Sequence, residues 1–214
     1  MRVVIFGTGG NCIDILDAML AVNRARGRTV YECVGFLDDA PGRQGSRVQS
    51  LPVLGPLSSA GSLGDVRFVN GIGSWQNFRD KRRIVESAGV AAERFETIIH
   101  PSAQVSGFAE IGAGSVLLQN AVVASGARVG RHVMLLPTSI VSHDATVGDY
   151  SILAGGVCVN GLVEVGEECY LGSGTQVRDR LRIGARVLCG MGSVVTRDIA
   201  AGATVAGVPA APLG

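Results

Sequence analysis

The chain has 214 residues, 19 of them basic and 18 acidic, with 47% hydrophobic and only 5% aromatic content. Charge this balanced, with no dense basic block, argues against nucleic-acid binding through a basic surface and leaves only local sites for phosphates. The five cysteines, Cys12, Cys33, Cys158, Cys169 and Cys189, form no CxxC pair and no metal-ligand spacing, so reduced thiols in a cytoplasmic protein are expected, and no metal.

Met1-Arg2 leads directly into an apolar stretch with none of the features of a secretory leader. The two longest charge-free runs, Val48 to Gly64 and Ile111 to Ala127, are interrupted by prolines, glycines or amides, and neither reads as a membrane span.

Val3-Val4-Ile5-Phe6 reads as a buried strand, followed by Gly7-Thr8-Gly9-Gly10. Asn11 is the expected N-cap of a helix whose apolar stripe is Ile13, Leu16, Met19 and Leu20. A second strand, Tyr31 to Leu37, ends at Asp38-Asp39, and a polar, Gly-rich loop then leads to Pro52-Val53-Leu54-Gly55. A third strand, Arg67 to Val69, ends in Asn70-Gly71-Ile72-Gly73, and a second helix is expected from about Trp75 to Ala88. This alternation predicts a small parallel α/β domain. A Gly-rich turn between first strand and first helix is where such domains hold phosphates, and an acidic pair ending the next strand can accept from ribose or a base. Taken alone, the turn fits a tight bend as readily as a ligand loop. The domain is too short for the two halves of a dinucleotide fold, which disfavours NAD-linked chemistry.

From Ile99 to Val195 every sixth residue is Val, Ile or Leu, the one exception being the small hydrophobe Cys189. Neither an amphipathic helix nor a two-faced strand repeats at six, so the pattern signals a solenoid. The pairs Ile111-Gly112, Val129-Gly130, Val147-Gly148, Val165-Gly166 and Ile183-Gly184 recur every eighteen residues, giving three short sides per turn. Small residues such as Ala103, Ser115, Ala121 and Ala145 stand two positions before the aliphatics and share their inward face.

The hexads resemble the left-handed parallel β-helix of the hexapeptide-repeat acyltransferases. The whole chain resembles the sugar acyltransferases of that family, the nucleotide-aminosugar N-acetyltransferases and sialic acid O-acetyltransferases. The resemblance is carried by Gly7-Thr8-Gly9-Gly10, Gly35-Phe36-Leu37-Asp38-Asp39, Pro52-Val53-Leu54-Gly55, Ile98-Ile99-His100-Pro101-Ser102-Ala103, the hexads and Gly207-Val208-Pro209-Ala210. It implies an α/β Rossmann-like domain over residues 1–97 that holds a nucleotide sugar, followed by a left-handed parallel β-helix over residues 98–214.

His143 follows Val141-Ser142, so it falls on a corner of the prism with its side chain outside the core. Read alone it is a packed surface histidine or a catalytic group. In the family a histidine so placed, next to an acid such as Asp144, is the general base, and imidazole titrates where an attacking amine or hydroxyl needs a proton acceptor. His100 is expected to form the entry turn of the solenoid, and His132 to be structural or to line a subunit contact. The intervals between the three histidines, 32 and 11 residues, do not reproduce the close pair of the metal-binding carbonic anhydrase that shares this β-helix.

By the same carry-over Gly9, Gly10, Asn11, Asp38, Asp39 and Gly73 would hold the nucleotide sugar, and Ile152, Gly161, Ser173 and Met191 would lie along acetyl-CoA. Arg178, Arg180, Arg182, Arg186 and Arg197 could meet its phosphates or form a solvated face. Three departures stand out. Ile152 occupies a position where close relatives carry a second histidine, Asn11-Cys12 replaces a usual His-Gly, and no basic residue follows Val208-Pro209-Ala210. The expectation is a homotrimeric, acetyl-CoA-dependent N-acyltransferase acting on a nucleotide-linked aminosugar in surface-polysaccharide assembly. The alternatives are a sugar O-acetyltransferase or a non-catalytic β-helix scaffold. Counting by eighteens puts Gly161 on the edge of His143 and puts Ser173 and Met191 on another, as a site built between subunits requires.

Overall fold

A computed structural model describes residues 1–213. The chain opens with β1 (Arg2–Phe6), α1 (Gly10–Arg26), β2 (Glu32–Leu37), β3 (Arg47–Val48), β4 (Leu51–Gly55), β5 (Arg67–Asn70) and α2 (Lys81–Glu86). The five strands form one sheet in the order β3-β4-β2-β1-β5, parallel throughout except for the β3–β4 hairpin. Because helices or loops cover both of its faces, the central strand is apolar at every inner position, as parallel sheets require. Val3 and Ile5 pack with α1, whereas Val4 and Phe6 pack with Phe68 and Phe95 on the other side.

The expected helix from Trp75 to Ala88 is much shorter in the structure. Asn77 Oδ1 accepts from both the amide and the hydroxyl of Ser74, which folds residues 74–77 into a turn, and only Lys81–Glu86 is α-helical. Side-chain bonds of this kind compete with the helical ladder. Asn11 is not the N-cap either. The helix begins at Gly10 with Gly9 as its cap, and the Asn11 amide donates instead to Gly73 O, 2.9 Å away.

From Ile98 onward two-residue strands wind into a three-sided parallel β-helix whose sheets hold eight, six and five strands. Through Val195 each strand pairs with those eighteen residues before and after it, as in Val123 with Val105 and Val141, and the chain ends in a coil of sixteen and an antiparallel strand. The aliphatic hexad positions and the small residues two places earlier form the core, with Leu117, Val141, Leu153, Leu171 and Cys189 wholly buried. Ile99 and Val105, expected in that core, are 37% and 36% exposed because no coil covers the first turn. The glycines that recur every eighteen residues line one corner where coils touch. A Cβ on Gly148 would lie 2.5 Å from Glu167 N, and one on Gly166 would lie 2.5 Å from Ala185 N.

The three faces differ in what points outward. One presents Glu110, Arg128, Thr146, Glu164 and Arg182, with Arg128 and Arg182 paired to the glutamates one coil earlier. A second presents Gln104, Val122, Ile140, Cys158, Gln176 and Val194. The third presents Ile98, Val116, Met134 and Ile152, all buried beneath the α/β domain. Arg79 donates to Arg186 O and Gly202 O, and Arg82 pairs with Glu167 and Glu168. His132 lies inside this seam rather than at a surface. Its ring packs edge-on to Phe95 at 4.6 Å and stacks on Tyr150 at 4.8 Å.

Lys81 is fully buried in the seam, with Nζ donating to His132 O at 2.6 Å. Burial alone pushes its ammonium down from 10.5 to about 7, so the unfolded chain binds more protons than the native one above that pH. Stability therefore rises with pH through this window and is lost again as pH falls toward 7. Between pH 7 and 8.5, where the thiols contribute equally to both proteins, the urea-unfolding free energy is expected to climb by up to about 1.4 kcal/mol per pH unit more in the wild type than in Lys81→Met.

Candidate functional site

Where β1, β2 and β5 end at their carboxyl sides, the chain leaves a cavity of about 540 Å³. Gly9, Gly10, Asn11, Asp38, Asp39 and Gly73, all expected from the sequence to hold ligand, line it together. The first amides of α1 have no acceptors within the helix, so they offer donors and partial positive charge to an anion over Gly9 and Gly10. No acidic side chain in the first turn of α1 opposes that.

The acidic pair is held in place. Asp38 accepts from the Thr8 hydroxyl at 2.6 Å and from Ala40 N at 2.9 Å, and Asp39 accepts from Leu57 N at 2.8 Å. Cys12, one of the departures, is a packing residue here. Cβ atoms on Gly7 and Gly71 would lie 3.0 and 2.5 Å from its sulfur, and burial pushes its thiol up to about 12, so it is inert. Thr8, Leu57, Ser74, Asn77 and Ile84 also line the cavity and were not anticipated from the sequence. Only Thr8, inside the glycine turn, gave a local signal.

A second cavity, about 510 Å³, lies on the prism edge between the charged face and the Val122–Ile140 face, lined by His143, Asn160, Gly161, Leu162, Arg178, Asp179 and Arg180. His143 is 63% exposed, and its Nδ1 meets Asp144 Oδ2 at 3.0 Å. An ionised carboxylate can only accept, so in the neutral imidazole Nδ1 is the nitrogen that carries the proton and Nε2 the one with the lone pair. Asp144 sits in the left-handed region (φ 57°), and its amide is fixed to Ser125 O. Below the ring, a Cβ on Gly161 would come within 2.5 Å of Nε2. Glycine at 161 is therefore what lets the imidazole lie against the next coil.

The arginines divide. Arg178 and Arg180 reach the His143 cavity, whereas Arg182 and Arg186 are committed to Glu164 and Glu168. Ser173 and the 79%-exposed Met191 lie on a different edge, between the Val122–Ile140 face and the docked face. Ile152 joins neither group. It is fully buried on the docked face, and a Cβ on Gly73 would meet its Cδ1 at 2.5 Å. His100 makes the entry turn, its Nδ1 bonded to Ser102 Oγ at 2.8 Å and to Ser102 N. Among the described residues, no group of three or more His, Cys, Asp or Glu is placed to hold a metal, and no helix is long and apolar enough to cross a membrane.

No family model and no curated protein matches the chain by sequence. Solved structures do. The acetyltransferase domain of PglB from Neisseria gonorrhoeae is 32% identical with a TM-score of 0.86, over 99% of each chain. The chain belongs to the hexapeptide-repeat sugar acyltransferases. Two further members are similar along their whole length. PerB from Caulobacter crescentus, solved with CoA and GDP-perosamine, is 28% identical over 100% of this chain and 98% of its own, with a TM-score of 0.84. WeeI from Acinetobacter baumannii is 25% identical over 100% of both chains, with a TM-score of 0.83.

The contact of Gly73 with Ile152 is where the α/β-domain cavity of this family member meets its prism. Gly73 has φ 153°, so Gly73→Ala is strained by backbone and clash alike. Valine at 152 lacks the clashing Cδ1. Gly73→Ala is expected to lower the urea-unfolding free energy by more in the wild type than in an Ile152→Val background, giving a coupling of about 0.5–3 kcal/mol in the double-mutant cycle.

Proposed function

We propose that this chain transfers the acetyl group of acetyl-CoA to the amine of a nucleotide-linked aminosugar. Residues 1–97 act as a Rossmann-like nucleotide-sugar-binding domain and residues 98–214 as a left-handed β-helix acyltransferase domain. The observation that carries the reading is the imidazole of His143, turned by Asp144 so that Nε2 is free in an open cavity. As the amine nitrogen attacks the thioester carbonyl, Nε2 takes its proton. The tetrahedral intermediate then expels the CoA thiolate, so no acyl-enzyme forms.

Gly9, Gly10, Asn11, Asp38, Asp39 and Gly73 hold the nucleotide sugar. Gly161, Ser173 and Met191 lie along acetyl-CoA, with Arg178 and Arg180 available to its phosphates, and Ile152 closes the wall between cavity and prism. Amines are favoured over hydroxyls because a nucleotide-binding domain implies an activated aminosugar of the kind found with PerB. The departure at Asn11-Cys12 does not favour a scaffold, since Asn11 ties the cavity wall at Gly73 and Cys12 packs beneath Gly7 and Gly71, leaving the cavity open.

One geometric fact supports a homotrimer. The nucleotide cavity adjoins the docked face, whereas His143 stands on the edge opposite that face, so the prism lies between them. A neighbouring copy must bring its own His143 edge to the cavity, and the outward Val122, Ile140, Cys158 and Val194 form an apolar face suited to that contact. With all five cysteines free, a cytoplasmic role in surface-polysaccharide synthesis fits.

The test is thiol release from acetyl-CoA in the presence of UDP-, GDP- and dTDP-linked aminosugars, with the matching hydroxyl sugars reporting any O-acylation. His143→Ala is expected to lower kcat by about 10²- to 10⁴-fold. Full activity in that variant would overturn the mechanism. Gly161→Ala, which displaces the ring without removing it, is expected to cost about 10²-fold with the fold intact by circular dichroism.

A further inference from the structure

The α/β-domain cavity holds two carboxylates and no cation. Asp38 and Asp39 line it, and among the described residues no lysine or arginine does. Lys81 passes behind it, its Cδ 3.5 Å from where a Cβ on Gly73 would lie, but its Nζ points away to His132 O in the seam. An anionic group taken up in this cavity must therefore be held by neutral donors.

Most side-chain donors that line the cavity are already spent within the chain. Thr8 Oγ1 donates to Asp38 at 2.6 Å, Asn11 Nδ2 to Gly73 O at 2.9 Å, Cys12 Sγ to Phe6 O at 3.4 Å and Ser74 Oγ to Asn77 Oδ1 at 3.1 Å. Asn77 is the remaining lining residue with such a donor. Its Nδ2 has no acceptor among the described residues, and it is not a buried atom, so it is open to solvent.

The backbone settles which end of that amide is free. Ser74 N donates to one of its two atoms at 2.7 Å, and an N–H can donate only to the oxygen. Oδ1 is thus spent on Ser74, and the open end is the NH2 group. The amides of Asn77 and Phe78 both donate to Ser74 O, so the turn fixes where that group points.

An NH2 group takes an acceptor, and phosphate oxygens only accept. The first amides of α1 at the same cavity offer a place for one phosphate. On the function proposed above, on which this inference rests, the base lies toward Asp38-Asp39 and the sugar toward the prism, which the cavity reaches at Gly73 and Ile152. Asn77 belongs to the Gly71–Asn77 stretch at that second end. We propose that Asn77 is a binding residue for the diphosphate of the nucleotide sugar, its Nδ2 donating to the sugar-side phosphate while the α1 amides hold the nucleoside-side one. The cavity then selects sugars linked through a nucleoside diphosphate over those linked through a monophosphate, which lack the second anion.

Asn77→Asp is the informative exchange, since a carboxylate keeps both bonds from Ser74 and puts an acceptor where the NH2 group was. Calorimetric titration uses whichever of UDP, GDP and dTDP the wild type binds, together with the matching monophosphate. Asn77→Asp is expected to raise Kd for the diphosphate about ten- to a hundredfold and for the monophosphate less than about threefold, with Tm and the Kd for acetyl-CoA unchanged. Asn77→Ala removes the donor without adding charge. It is expected to weaken the diphosphate about three- to tenfold more than the monophosphate, and it decides the matter if the Asp variant does not fold. A diphosphate Kd that neither variant changes overturns the assignment, as does a monophosphate weakened as much as the diphosphate. In both cases the proposed function stands, because the wild type still acetylates its sugar. If the wild type binds no nucleoside diphosphate and acetylates no nucleotide aminosugar, the function itself fails, and this inference falls with it.

Discussion

Beyond the first coil, the corners of the prism are held by hydrogen bonds that reach back to the coil before. Every sixth residue from Gly114 to Gly192 adopts the left-handed conformation, and along the column amides such as those of Asp144, Leu162 and Arg180 donate to carbonyls nineteen residues earlier, Ser125, His143 and Gly161. Nine of these corners are not glycine, and they include Tyr150 and Leu162. The conformation costs ~1–2 kcal/mol for an L-residue, and a hydrogen bond returns a net ~0.5–1.5 kcal/mol. A single corner is thus close to neutral, and it persists because the buried aliphatics on either side determine where the chain must turn. Corner side chains are then free to vary in chemistry without moving the backbone. His143 and Asp144 use that freedom: the carboxylate meets Nδ1 because the ladder sets the backbone of Asp144.

The same regularity separates the duties of the three faces. Inward residues are interchangeable aliphatics, so the faces differ only in the residue that points out of each two-residue strand. Alternating Glu and Arg keep one face in water. Ile98, Val116, Met134 and Ile152 accept the α/β domain on another. The third carries Val122, Ile140, Cys158 and Val194 without a partner from its own chain, and it runs between the edge of His143 and the edge of Ser173 and Met191.

The prism was almost fully legible in the sequence because a solenoid is quasi-one-dimensional, each coil meeting only its neighbours at a fixed interval. Its failures, Ile99 and Val105, lie at an open end where the interval says nothing about what covers the coil. The glycine turn and the Asp pair could be read because adjacent strands end at one sheet edge. What escaped was long-range. Asn11 looked like a cap because its partner, Gly73, lies 62 residues away. His132 looked like a surface corner because Phe95 and Tyr150, which cover it, come from an extended segment and a later coil. Lys81 gave no signal, since lysine is rarely fully buried and nothing nearby in sequence marks it.

That seam decides how the two cavities relate. Arg79, Arg82, Lys81 and His132 fasten α2 and its preceding turn to the prism through carbonyls and carboxylates spread over several coils. Gly73 and Ile152 meet there without room for a methyl group. A sheet held in this way cannot swing its cavity around the prism to reach His143 on the far edge. Cations tied to backbone carbonyls across several coils would have to be released together, and Lys81 would have to leave a fully buried position. The rigidity that orients each cavity also keeps the α/β cavity of one chain away from its own His143, a separation that the proposed trimer would bridge by assembly rather than by domain closure.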